Sequence, residues 1–281
     1  MTAKLMIVWD YDGAIGQVNA SYPYLFDESR IYEEIANVDT ILALAREYQM
    51  PMTFACLGFA AEPGLFPYHA PDQIRSIGQA GHEVASHSWR HEWFPHLERD
   101  QVVKSLGRSK LALETCLRKP GAVQGFVPPF SRPMSWRRRG ALSLGDRAWG
   151  PGHPGADLGS LLKLVREAGY RWCRVSYRSL WQRLAGEELP GLQAAWTEHQ
   201  GVVCVPQHYT GFDEPARALL SRAVQSSAPL VVCGHPSGLS RAKEESLEHV
   251  RCFFKLAGDY RQKGQLAIST ISGSLCQEQT G

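Results

Sequence analysis

Apolar positions along this chain fall into short continuous runs separated by stretches with helical spacing. The runs Leu5–Trp9, Met52–Leu57, Glu83–His87, Val123–Val127, Trp172–Val175, Gly201–Val205, Leu230–Cys233 and Gln265–Thr270 are predicted as strands. Between them, Val38–Tyr48, Pro71–Gln79, Arg99–Leu117, Leu158–Ala168, Glu214–Ser226 and Glu244–Lys263 carry helical periodicity. Several of these close on a glycine, at Gly81, Gly169 and Gly264. Repeated β-α alternation means parallel strands with helices outside. Seven or eight parallel strands in one chain of this length predict a (β/α) barrel rather than an open sheet, formed as a single domain, residues 1–281. The stretch 128–155 is rich in Pro, Gly, Arg and Trp and lacks periodicity, so it is expected to be a long rim loop.

Composition narrows the function. Of 281 residues, 44% are apolar, enough for a full core, and the net charge of +2 argues against a nucleic-acid binder. The run Arg137-Arg138-Arg139 is the one basic cluster, expected to be solvated or to meet an anionic substrate group. The seven cysteines form no CxxC pair and several sit in apolar runs, which suggests reduced thiols rather than disulfides or a zinc knuckle. With no signal-like amino terminus and no apolar run long enough to span a bilayer, a cytoplasmic location is expected.

Candidate chemistry gathers after strands. The first ends in Asp10-Tyr11-Asp12-Gly13, and alternation sets the two carboxylates on one side. Like charges so close need a metal or a shared proton. The third strand runs into His87-Ser88-Trp89-Arg90-His91, and two imidazoles four apart can meet one ion if the turn between them is helical. One carboxylate and two imidazoles leave a coordination position open for water and substrate. His235 follows the strand Leu230–Cys233, a position from which it could protonate a leaving group. Of the remaining histidines, His69 and His208 fall in rim loops.

Taken in order, Asp10-x-Asp12, Gly81-His82-Glu83 through His87-Ser88-x-x-His91, and His235-Pro236 resemble the polysaccharide deacetylase (NodB-homology, carbohydrate esterase 4-like) family. The resemblance is nearest to its surface-polysaccharide biosynthesis branch, and Pro67-Tyr68-His69-Ala70-Pro71 and Gly264–Thr270 extend it. It implies a distorted (β/α) barrel with one divalent metal on Asp12, His87 and His91, zinc being the best fit, with Co, Ni, Mn or Fe also suited to such ligands. It further implies Asp10 as general base and His235 as general acid, with Trp89, Phe130, Arg132 and His69 at the substrate and a backbone N–H near Phe130 for the oxyanion. The implied reaction is N-deacylation of an amino sugar carried on a nucleotide, a lipid or a polymer. Val127 stands where many members carry the arginine that orients the base, so either Arg132 supplies the charge from the loop or the site is tuned differently. Three competing readings remain open. One is a haloacid-dehalogenase-type phosphatase with Asp10 as nucleophile; another is a metal-free cyclic-amide hydrolase of the allantoinase type; the third is an inactive sugar-binding homologue.

Overall fold

The computed structural model describes residues 2–20, 27–94, 97–131, 158–175, 192 and 196–278. Ten strands form one curled sheet: β1 (Ala3–Tyr11), β2 (Thr53–Cys56), β3 (Glu83–Ser86), β4 (Gly125–Phe126), β5 (Trp172–Arg174), β6 (Thr197–His199), β7 (Val202–Val205), β8 (Tyr209–Thr210), β9 (Pro229–Gly234) and β10 (Leu266–Ile268). Their order is β6-β7-β5-β4-β3-β2-β1-β9-β8, with β10 paired to the first residues of β1. Every pairing is parallel except β6 with β7. The expected barrel is therefore present, as a curled sheet between edge strands β6 and β8.

The helices are α1 (Gly13–Ala20), α2 (Ser29–Tyr48), α3 (Gly58–Ala61), α4 (Pro71–Gln79), α5 (Arg99–Leu117), α6 (Leu158–Glu167), α7 (Glu214–Ser226), α8 (Leu247–Gln262) and α9 (Ile271–Glu278). Three of the six predicted helices, α4, α5 and α7, have the predicted bounds. Local chemistry explains one start: Glu98 and Gln101 close a capping box ahead of α5. By contrast α2 begins nine residues before the predicted Val38, because Glu33, Glu34 and Asn37 break its apolar stripe. Glu34 is nonetheless fully buried. Two strands escaped the sequence reading for plain reasons, β6 being exposed at all three positions and β8 only two residues long.

Alternation along the strands divides the interior into two cores. Leu5, Ile7, Trp9 and Tyr11 of β1 face the helices, within the large core between sheet and helix layer. The opposite face of the strands fills the barrel with Met6, Val8, Ala55, Ala85, Val127, Trp172, Val205 and Val231. Trp172 is the bulkiest of these, and it fits because β4 has a glycine beside it; a Cβ on Gly125 would overlap its indole. Ile271 at the start of α9 packs against this inner layer, with Leu275 beside it. Stepping two residues along from Val8, Ala85, Trp172 and Val231 reaches Asp10, His87, Arg174 and Cys233. The inner layer thus ends at the carboxyl rim in polar side chains. All seven cysteines are free thiols. Among the described residues no helix is long and apolar enough to cross a membrane.

Candidate metal centre and acid-base pair

Asp12, His87 and His91 come together as expected, their ligand atoms all within 4.8 Å of one another. The route differs from the helical turn read in the sequence. Ser88 (φ 75°) and His91 (φ 61°) both adopt left-handed backbone, folding the loop so that His91 turns back toward Asp12. Such backbone costs energy and persists only where its surroundings hold it. Here α5 supplies the hold: Ser109 Oγ donates to the Ser88 carbonyl at 2.8 Å and Ser105 Oγ accepts from the Trp89 N–H at 3.1 Å. The N–H groups of Gly58 and Phe59 add bonds to the carbonyls of Ser88 and Trp89.

His87 Nδ1 lies 2.7 Å from the Val127 carbonyl, which can only accept, so the proton sits on Nδ1 and Nε2 keeps its lone pair. That Nε2 is 3.4 Å from Asp12 Oδ1, and His91 Nε2 is 3.3 Å from the same oxygen. Burial pushes His91 down to about 4, so its ring is neutral and able to ligate. Burial alone would raise Asp12, but His91 and His87 outweigh it and hold the carboxyl below its ordinary range. Asp12 Oδ1 is buried yet has no hydrogen-bond partner, and His91 Nδ1 is in the same state. An acceptor oxygen left bare between two nitrogen donors is where a divalent cation fits, and a carboxylate with two imidazoles suits zinc. The wider electrostatics agree. Four buried carboxyls, of Asp10, Asp12, Glu34 and Glu245, face two cationic groups, Arg174 and His235. Glu34 accepts the Asp12 N–H at 3.3 Å, and burial together with Asp12's charge pushes it well above the carboxylate range.

Asp10 is gripped at both oxygens by Arg174, through Nη1 at 2.8 Å and Nη2 at 2.5 Å. Burial would raise this carboxyl, but Arg174, with His87 and His235, holds it well below the usual range. Arg174 Nη1 also reaches Cys233 Sγ at 2.9 Å. The orienting charge therefore comes from the end of β5 rather than from the position of Val127, and the expected Arg132 lies outside the described residues. One signal pointed to it: a single arginine interrupts the apolar run Trp172–Val175 on the inward phase.

His235 stands 3.9 Å from Asp10 Oδ2, and its Nδ1 lies 2.9 Å from Glu245 Oε1. Although burial works against the charge, Glu245 first, then Asp10 and Asp12, push His235 up to about 10. Glu245 itself is buried, and a Cβ on Gly238 would collide with its carboxylate. Sequence reading missed Glu245, placing it inside a helix; it sits instead in a short 3-10 turn, Lys243–Glu245.

The expected substrate residues separate. Phe130, in left-handed backbone (φ 60°), sets its ring 4.5 Å from His91 and forms a wall of the centre. Trp89 is only 5% exposed, with Arg108 over one face and Phe59 at its edge, so it supports the loop from beneath. His69 packs 4.3 Å from Phe59 in the loop after α3. His208 is occupied in the sheet, accepting the Val231 N–H at Nδ1. Residues 132–157, which hold Arg132, the arginine run and most of the expected rim loop 128–155, lie outside the described residues.

Residues 24–148 match the sequence profile of the polysaccharide deacetylase family. No curated protein matches the chain by sequence. Among solved structures, a protein from Mycobacterium smegmatis named as a polysaccharide deacetylase aligns with TM-score 0.60 and 19% identity, over 97% of this chain and 88% of that one. An allantoinase, Puue, aligns with TM-score 0.62 and 17% identity, over 96% and 88% of the two chains. A CE4 family pseudoenzyme from Bacillus anthracis gives 0.51 and 12%, over 97% and 65%. At these identities the neighbours establish the fold alone. The matched segment takes in His87 and His91, and the fold carries Asp10, Asp12, Arg174 and His235 to the same rim; over residues 24–148 the chain is similar to the polysaccharide deacetylase family.

Proposed function

We propose that this protein is a metal-dependent hydrolase that removes an N-acyl group, most simply acetyl, from an amino sugar in surface-glycan synthesis in the cytoplasm. The observation that carries the reading is the bare, buried Asp12 Oδ1 set between His87 Nε2 and His91 Nε2. A divalent ion held there, zinc being the best match, would polarise the amide carbonyl and acidify the attacking water.

The chain's own groups then handle protons. Asp10 accepts the proton of the attacking water. Arg174 fixes that carboxylate by a two-point contact and keeps it ionised, at the cost of basicity, which makes an acidified water necessary. His235 carries its proton on the Nε2 side toward the site while Glu245 holds Nδ1, and it donates to the nitrogen as the C–N bond breaks. The backbone N–H of Phe130, in the turn lying on His91, is assigned to the oxyanion.

Two rival readings lose ground on this geometry. A phosphatase would need Asp10 free as a nucleophile, and both its oxygens are engaged by Arg174. A metal-free cyclic-amide hydrolase has no use for three complete ligands. The test is acetate release from N-acetylated amino sugars by purified protein, before and after chelation and zinc return. Release that stops on chelation and recovers with zinc supports the reading; phosphate release from sugar phosphates with no acetate from any amino sugar, or chelator-resistant opening of a cyclic amide, overturns it.

A further inference from the structure

The amino end of the barrel, opposite the metal centre, carries a hollow of about 580 Å³. It lies between the carboxyl ends of α4 and α5, the loop 118–122 and the start of α9. Its size is that of a small-molecule site. Arg75, Arg118 and Lys119 bring positive charge to its wall. Arg75 is paired with Asp72, whereas Arg118 and Lys119 are exposed and make no ion pair among the described residues. Cations at the end of α5 also complement its dipole. That role leaves their side chains free, because the last carbonyls of α5 are already met by the N–H groups of Arg118 and Lys119 themselves.

The rest of the wall favours a polar, oxygen-rich ligand. Glu83 is the one acid among the described residues of the wall, and its oxygens are taken by Thr53 Oγ1, Trp172 Nε1, and the Oγ and N–H of Ser272. His82 accepts the Met52 N–H at Nδ1, 3.2 Å away, so its proton lies on Nε2 as a donor; burial keeps the ring neutral, at about 4. Gln79, Gln124 and Thr270 add neutral hydrogen-bonding groups. Among the described residues no Trp, Tyr or Phe lines the hollow, so none of them offers a nucleobase a face to stack upon.

We propose that this hollow is a second binding site, for a sugar phosphate or similar polyol phosphate, with the phosphoryl group on Arg118 and Lys119 and the hydroxyls on His82, Gln79 and Gln124. An arginine fork beside a lysine point charge is well suited to a phosphate dianion. The site is separate from the catalytic rim and does not depend on the proposed hydrolysis.

Isothermal titration of the intact protein with glucose 6-phosphate, glucose and inorganic phosphate tests it. Both cations are exposed, so the R118A/K119A variant should keep wild-type Tm and metal content. Saturable binding of glucose 6-phosphate is expected, at least about tenfold weaker in that variant, weakened also by salt, with glucose barely bound. Absence of saturable binding overturns the proposal, and so does binding that the variant leaves unchanged, since the anion then sits elsewhere. Inorganic phosphate binding as tightly as the ester overturns the assignment of the hydroxyl contacts.

Discussion

The two ends of this barrel treat polar groups in opposite ways. At the amino end, Glu83 sits beside Trp172 and Ser272 with both oxygens bonded, closing the inner core as a structural element would. At the carboxyl end, Asp12 Oδ1 and His91 Nδ1 are buried without partners, and Asp10, Arg174, His235 and Glu245 bring charge into the same space. A fold of marginal stability does not leave such groups bare without return. For Glu83 the bonds hold the inner core shut, whereas the bare Asp12 Oδ1 and His91 Nδ1 mark where a metal ligand belongs.

Substitutions at the two ends should therefore fail differently. Arg174→Ala removes the one partner, among the described residues, bonded to both oxygens of Asp10 and leaves a buried carboxylate without its guanidinium, a change of about 3–5 kcal/mol in stability. Turnover should fall with it, and urea unfolding beside acetate release would show both losses. A variant that is as stable as the wild type would mean that Asp10 is not held as an anion.

Trp172→Ala attacks the other end of the same strand. It should destabilise by about 3–5 kcal/mol through a cavity in the inner core, while folded protein keeps its metal and most of its turnover. Parallel loss of metal affinity would show that the two ends are not separable.

Much of this contrast was legible in the sequence, and the part that was not has a physical cause. All eight predicted strands occur, because strands buried on both faces read as continuous apolar runs. Asp10, Asp12, His87, His91 and His235 stood out because each follows such a run. Arg174 did not, since its meaning lies in a bond to Asp10 across 164 positions. Glu245 fell inside a predicted helix and Glu34 ahead of one, and only packing shows that they are buried. The left-handed turns at Ser88 and His91 were equally hidden, since neither residue type demands them.

The smallest effect is a shift in pH dependence. Glu245 raises His235, so Glu245→Gln should lower it, and the loss of activity at high pH should begin at lower pH than in the wild type. The same linkage acts on stability. His235's contribution is fully present below its unfolded value near 6.5 and is lost as pH rises toward about 10, and the variant should lose that dependence. An unmoved alkaline limb would remove Glu245 from the acid's support.

Metal stoichiometry after native purification and zinc titration tests the central assignment most directly. The Asp12–His87–His91 centre should bind one zinc per chain, His91→Ala should abolish it at equal protein concentration, and Asp10→Asn should retain it. Undiminished zinc binding in His91→Ala, or its loss in Asp10→Asn with His91 intact, would contradict the assignment of these residues.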